Sequence, residues 1–248
     1  MIAAWLAAPE AELAKLLFAS IRGGAALALL PGIGGALLPI RVRIGLAGAL
    51  GWLVAGSVTV PDGGALLGAV AGEVMIGAAV GVLLQALFAT ASVAGELLAQ
   101  AMGLGFATIV QPGGTTSPVV TTFLSLLLWA VFIGLDGHAR LFALLVHSFA
   151  TLPPGAVPDV GEVARLGGFA FATGALLALP VAGVLVLANL WLAVLAKSAP
   201  QLNLFSVGFA VLTVVGLVAL PLALPVMMGT MGDAVADAQA RLATLLLA

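Results

Sequence analysis

The chain has 248 residues, 63% of them hydrophobic and only 7% charged, whereas a soluble domain carries about a quarter charged residues; this is the composition of an integral membrane protein. A formal net charge of -2 over so few ionisable groups, with no basic run, speaks against a nucleic-acid partner and against a polybasic lipid patch. The lack of cysteine excludes disulfides, thiolate metal sites, iron-sulfur clusters and cysteine nucleophiles.

The N-terminus lacks the cationic start of a cleaved signal peptide, its first charges being Glu10 and Glu12, so the mature chain is expected to begin at Met1. Leu13 to Leu38 is the first long apolar segment, interrupted by Lys15, Arg22 and the Gly23-Gly24 pair; Pro31 predicts a kink or break. A short basic loop with Arg41 and Arg43 follows. Ile44 to Val60 is long enough to span a bilayer, which takes roughly 17 to 25 residues, and Gly45, Gly48 and Gly51 give it a smooth face. Pro61-Asp62-Gly63-Gly64 has the residue chemistry of a turn.

Ala65 to about Gly103 is apolar for longer than one crossing requires and carries Glu73, Gln85, Ser92, Glu96 and Gln100; a hairpin and one overlong helix both fit. The pairs Gly68/Gly72 and Gly77/Gly81 have the small-xxx-small spacing that admits a neighbouring helix, although such pairs also arise by chance in a chain with 32 glycines. Ser92, Glu96 and Gln100 fall at i, i+4 and i+8 and line one helical face. That polar stripe runs into a segment loosened by Gly103 and Gly105 and broken by Pro112, Gly113, Gly114 and Pro118. Backbone freed at membrane depth is tolerated only inside protein or beside a water-filled cavity, so this segment belongs in an assembly or a pore.

Val119 to Leu135 is another apolar helix, closed by Asp136-Gly137-His138-Ala139-Arg140, and Leu141 to Phe149 is a shorter one. Prolines 153, 154 and 158 make Leu152 to Asp159 an aqueous loop, and Val160 to Leu166 reads as an interfacial helix start. Gly167 to Ala196 is long and apolar with Pro180 at its middle; Lys197 to Asn203 is a polar break in which Pro200 ends one helix, Asn203 can cap the next and Gln201 adds hydrogen bonds. Phe205 to Met231 returns, bent by Pro221 and Pro225, and residues 233–248 form an amphipathic tail. The runs are continuous and far longer than barrel strands, so no strands are expected. The reading is an all-α membrane protein forming one membrane-embedded helical domain over residues 1–248.

Catalysis lacks a constellation. His138 and His147 have no metal-ligand spacing, and neither a G-x-S-x-G string nor a phosphate-binding loop is present, so neither enzyme activity nor a cofactor is expected. The membrane-depth charges Arg22, Glu73, Glu96 and Lys197 are candidate functional groups by their cost in hydrocarbon. They could form an ion or proton pathway through Glu73 and Glu96, or pair with opposite charges and helix ends inside a bundle. The second reading is preferred, because two lone carboxylates make a poor relay.

Read together, several blocks resemble the FliR/SctT family of type III protein export gates over nearly the whole chain. They are Arg22 with Pro31, Pro39, Arg41 and Arg43; Glu73, Gly77 and Gly81; Ala94-Gly95-Glu96 leading to Met102-Gly103, Phe106-Ala107 and Pro112; Gly137-His138; Ser148-Phe149 with Leu152-Pro153; Pro180; and Pro200-Gln201-Leu202-Asn203-Leu204-Phe205 with Gly208-Phe209. The sequence departs from the family pattern at Lys197, usually Arg; at Gln111, usually Asp; and at Ala210, usually Pro. Lys197 keeps the charge without the guanidinium fork, and Gln111 removes a carboxylate from the central loop.

The resemblance implies a non-catalytic subunit that assembles with FliP-type and FliQ-type proteins into a funnel-like helical pore, working with FlhB-type and FlhA-type components. The pore lies in the bacterial inner membrane, within the flagellar basal body, and passes unfolded substrates. An injectisome gate of the SctT type is the alternative system, and a stand-alone ion-coupled transporter is a more distant one. The resemblance also assigns 103–118 as a plug loop closing the pore at rest. Gly103, Gly105, Gly113 and Gly114 would serve as hinges and Met102, Phe106, Ile109 and Val110 as the seal, with Gln111 and Pro112 in the same plug. Arg22, Glu73, Ser92, Glu96, Gln100, Lys197, Pro200, Gln201 and Asn203 are expected to make structural or inter-subunit polar contacts.

Overall fold

A computed structural model describes residues 8–31, 39–105, 108–110, 116–198 and 204–247. Seven helices account for nearly all of them: α1 (Pro9–Ala28), α2 (Ile40–Val54), α3 (Ala65–Ala101), α4 (Val119–Gly134), α5 (Gly137–Thr151), α6 (Val160–Ser198) and α7 (Leu204–Leu247). Among the described residues four helical stretches are long and apolar enough to cross a membrane, five if α4 and α5 count as one broken span. The chain is an all-α membrane protein.

The elements follow from local chemistry. Pro9 opens α1, where a missing N–H costs nothing, and Glu10 and Glu12 in its first turn suit the positive end of the dipole. The helix stops three residues before Pro31, and two orphan carbonyls at its end are satisfied from elsewhere: Arg43 Nη1 donates to the Ala28 oxygen at 3.2 Å and Gln85 Nε2 to the Leu29 oxygen at 2.9 Å. Extended Pro39 precedes α2, which starts earlier than Ile44 and takes Arg41 and Arg43 into its first turn, so the expected basic loop is helix. A short 3-10 turn, Ala55–Ser57, ends it before Val60.

Other boundaries shift for one reason: nothing in these runs is strong enough to stop a helix. The stretch from Ala65 is one helix of 37 residues rather than a hairpin. The expected interfacial start at 160 and the apolar run after it are a single α6 around Pro180. Residues 233–247 are the last turns of α7, which also contains Pro221 and Pro225, rather than a separate tail. The expectation of no strands fails at one place. Thr108–Val110 (β1) pairs antiparallel with Thr116–Pro118 (β2), Ile109 opposite Ser117, where β-branched Thr, Ile and Val favour a pleated ribbon.

Two compact units emerge. The first comprises residues 1–86, 136–166 and 236–248, its core built on Phe18, Ala19, Val54, Val58 and Ala69 with Ile21, Val146 and Phe149 against them. Glycine lets its helices meet backbone to backbone. A Cβ on Gly51 would collide with Ser20 Oγ on α1, and one on Gly77 would collide with the Arg22 carbonyl oxygen; one on Gly81 would sit 2.5 Å from Leu29 Cβ. Gly72 meets the Gly155 backbone of the α5–α6 loop, whereas Gly68 faces open space. Thus the pair Gly77/Gly81 seats α1 on α3, while in Gly68/Gly72 only the second glycine is sterically required.

The second unit comprises residues 87–135 and 167–235. Here Phe88 stacks on Trp129 with centroids 4.2 Å apart and meets Phe132 edge-on at 5.7 Å. A Cβ on Gly174 of α6 would lie 2.8 Å from the Thr90 oxygen of α3, and one on Gly95 would strike Thr121 of α4. Close approach at glycine again sets how near the helices come.

The seam gives a graded test. Gly77→Val should lower the thermal stability of the detergent-solubilised protein by an overpacking cost of about 1–3 kcal/mol or more, whereas Gly68→Ala, facing open space, should stay within about 0.5 kcal/mol of wild type.

Candidate functional site

The approach of α1 to α3 at Gly77 places Arg22 one helical turn from Glu73, which lies four residues before Gly77 on the same face of α3. Both side chains are fully buried. The guanidinium engages the carboxylate with two parallel bonds, Nε to Oε2 at 2.8 Å and Nη2 to Oε1 at 2.9 Å. This is the bidentate fork that makes an Arg–carboxylate pair strong and directional. Nη1 donates to Ser148 Oγ at 2.8 Å, Nη2 also reaches the Leu152 carbonyl at 3.3 Å, and the Phe149 ring lies 4.1 Å from the guanidinium carbon. Ser148 Oγ in turn donates a hydrogen bond to the Leu145 carbonyl at 2.7 Å. Among the described residues no buried side-chain polar atom is left without a partner.

Of the membrane-depth charges, Arg22 and Glu73 pair with each other, both carboxylate oxygens being held by the guanidinium. Sequence reasoning named Arg22 and Glu73 without joining them, and Ser148, Phe149 and Leu152 only as blocks of the family resemblance, without a part in this cluster.

The polar stripe on α3 is otherwise outward. Glu96 and Gln100 are exposed and Ser92 half-buried. Thr121 Oγ1 stands 3.5 Å from Glu96 Oε1, the outer limit of a hydrogen bond. Gln100 folds over the following turn, so that a Cβ on Gly105 would fall 2.7 Å from its Nε2. Lys197 is exposed in the last turn of α6, where a cation suits the negative end of the dipole.

The start of the candidate plug is more ordered than its glycines suggest. Gly103 is left-handed at φ +73; its N–H reaches the Gln100 oxygen at 3.1 Å, and that of Leu104 reaches the Ala99 oxygen at 2.7 Å. This pair of bonds is a Schellman cap, so Gly103 is the stop of α3. Met102 is completely buried, Gly105 is half-buried, and Ile109 is exposed in β1 beside Val110. The expected plug residues Phe106, Gln111, Pro112, Gly113 and Gly114 lie outside the described residues, as do Pro200, Gln201 and Asn203 of the polar break.

Beside this cap runs a groove of about 730 Å³ walled by Gln100, Gly103, Asn189, Leu192, Ala193, Phe209 and Leu212 among others. Its walls are mostly apolar and offer two amide side chains but no charge. Among the described residues no three His, Asp or Glu side chains come together to hold a metal ion.

Comparison with known proteins gives a consistent result. Residues 13–238 match the model of the family described as bacterial export proteins, family 1. The flagellar biosynthetic protein FliR of Pectobacterium carotovorum subsp. carotovorum is 42% identical over 158 residues, covering 62% of this chain and 60% of that one, under two thirds of its length. FliR of Escherichia coli (strain K12) is 34% identical over 189 residues, 73% of this chain and 72% of the other. FliR of Aquifex aeolicus (strain VF5) is 30% identical over 233 residues, 90% of each.

The buried pair makes a prediction with opposite signs. Arg22→Met or Glu73→Leu alone should each cost about 3–5 kcal/mol by leaving a buried charge unpaired, while the double variant should return close to wild-type stability. Thermal unfolding of the purified singles and double in one detergent gives the coupling energy.

Proposed function

Because the chain belongs to the family of bacterial export proteins, family 1, we propose that it is a subunit of the flagellar type III protein export gate, a pore-forming component without catalysis of its own. The observation that carries this reading is the match over residues 13–238, joined by relatives named flagellar biosynthetic protein FliR. In this reading it assembles with FliP-type and FliQ-type subunits in the bacterial inner membrane. It works beside FlhB-type and FlhA-type components, and unfolded flagellar substrates pass through the shared pore.

The outward surface of the chain suits a membrane-embedded subunit. Large apolar side chains stand exposed along α6 and α7, among them Phe171, Leu187, Trp191, Val214 and Leu222. Surface of this kind is at home against lipid or against other apolar helices. The alternative of a stand-alone ion-coupled transporter loses its best ligand, since Glu73 is occupied by Arg22.

Segment 103–118 is the resting closure of the pore in this proposal. A plug must seal without binding passing chains and must move at small cost. Ile109 offers apolar surface, the described part carries no charge, and a ribbon of two three-residue strands is marginal by itself. Gln111 stands where the family usually has an acid, so apolar packing rather than charge pairing holds this plug shut. Glu96, Gln100 and Lys197, all exposed, are placed in this proposal against neighbouring subunits.

Two measurements test the proposal. The tagged chain should co-purify with FliP-type and FliQ-type proteins from its own membranes. Deleting Gly105 to Thr116 should leave that complex assembled while making the resting membrane leak small ions. An assembled deletion complex as ion-tight as wild type would sink the plug assignment, and failure to co-purify would sink the gate assignment.

A further inference from the structure

Between Glu12 and Asp62 the chain carries four cations, Lys15, Arg22, Arg41 and Arg43, and no acid. Two of them meet a carboxylate: Lys15 reaches Glu12 at 2.8 Å, and Arg22 reaches Glu73. Arg41 and Arg43 stand in the first turn of α2, which has no acidic residue of its own. Arg43 is half-buried and gives Nη1 to the Ala28 carbonyl, and Arg41 is exposed. A carbonyl takes a hydrogen bond from a guanidinium without cancelling its charge, so positive charge gathers at this end of the α1–α2 pair.

From that end a groove of about 280 Å³ runs along the same two helices, walled by Leu16, Leu17, Gly24, Ile40, Ile44 and Gly48 among others, with Arg43 at its α2 N-terminal end. It follows Leu16 to Ala28 on α1 and Ile40 to Gly48 on α2, roughly 12–18 Å at 1.5 Å per residue, so its section is only about 15–25 Å². A helix with its side chains is about 10–12 Å across; the groove takes a single hydrocarbon chain, not a helix. A Cβ on Gly48 would meet nothing within 4 Å, and the same holds at Gly45. Glycine inside a helix weakens it, yet no packing within this chain calls for either residue. The groove faces outward, since Leu17, Ile40 and Ile44 are all exposed. Ile40–Ser57 is also one of the stretches long and apolar enough to cross a membrane.

We infer that this groove binds one anionic phospholipid, its phosphate held by Arg41 and Arg43 and one acyl chain laid between α1 and α2. The polarity matches: cationic at the end of a candidate span, where headgroups lie, and apolar from there inward. The guanidinium fork fits a phosphate, and basic pockets between membrane helices hold anionic headgroups. Two arginines are too few for the diffuse attraction of a polybasic patch. The groove supplies the rest, because it orients the tail while the arginines grip the head.

The test titrates phosphatidylglycerol, which is anionic, and phosphatidylcholine, which is zwitterionic, into the detergent-solubilised full chain and follows thermal unfolding. Phosphatidylglycerol should raise the unfolding midpoint saturably, and phosphatidylcholine should not. Arg41→Gln should weaken the apparent affinity about tenfold or more, the worth of a charge-assisted hydrogen bond. Gly48→Leu, whose Cβ meets nothing in its own chain, should fill the groove and abolish the saturable shift. Arg165→Gln removes an exposed arginine of α6 that does not line the groove, and should keep the wild-type response. Each shift is read against the same variant without lipid, so intrinsic stability does not enter. Equal shifts from the two lipids would overturn the inference. So would a phosphatidylglycerol shift that survives both Arg41→Gln and Gly48→Leu, or one lost equally in Arg165→Gln. Inorganic phosphate that reproduces the shift would make this a free-anion site and overturn the lipid assignment.

A second arm asks what covers the groove in the membrane. The chain has no cysteine, so Gly48→Cys places a single thiol there. A thiol-attached photo-crosslinker at that position, activated in native membranes, should capture lipid and no polypeptide. Capture of another protein chain would mean that a partner subunit fills the groove, and the inference would fail.

Discussion

Arg22 can lie at the centre of an apolar helix bundle only because α1 and α3 approach until backbone touches backbone. The guanidinium needs its partner within hydrogen-bond reach, and a side chain at position 77 would hold the helices too far apart. A glycine on α3 therefore sets the spacing, the spacing permits the ion pair, and the ion pair fixes the rotation of both helices about their axes. Ser148 and the Leu152 carbonyl extend the same polar contact to α5 and to the loop that follows it. One charge thus orients four elements. Its worth lies in that directionality, since a buried pair gains little net stability over an apolar replacement of the same shape.

The second unit uses the same device without charge. Its helices come together at Gly95, Gly174 and Gly216, and what enters the space is a threonine, a valine and a methionine side chain. Helices in an apolar surrounding gain nothing from burying more carbon, so packing quality and the occasional hydrogen bond decide their partners. Thr213 illustrates the economy: its one hydroxyl proton is shared between the Phe209 carbonyl of its own helix and the Met102 carbonyl just past the end of α3.

Much of this was legible in the sequence. Composition and run length identify a helical membrane chain, and Pro31, Pro39 and the Pro61–Gly64 turn punctuate it where the structure does. Boundaries inside apolar runs were not legible, because proline ordinarily reads as a helix stop, whereas Pro180, Pro221 and Pro225 all sit within continuous helices here. The β1–β2 ribbon escaped because three residues are too few to display an alternation. Candidate site residues were recognisable singly, as costly charges or glycines in unusual places. Their pairing was not, since Arg22 and Ser148 are 126 residues apart and nothing in either segment names the other. Gly103 carries the clearest lesson: a glycine before a loosened stretch reads as a hinge, and the left-handed helix stop that the same residue supplies is not visible without the backbone.

The Arg22–Glu73 separation also bears on the order in which the fold completes. The arginine precedes its carboxylate by 51 residues, and a nascent chain emerges N-terminus first. Until α3 follows, Arg22 lacks its partner, and a charge left unpaired in an apolar interior costs about 3–5 kcal/mol. The first helix therefore finds its seat only when the third arrives, rather than in order of synthesis.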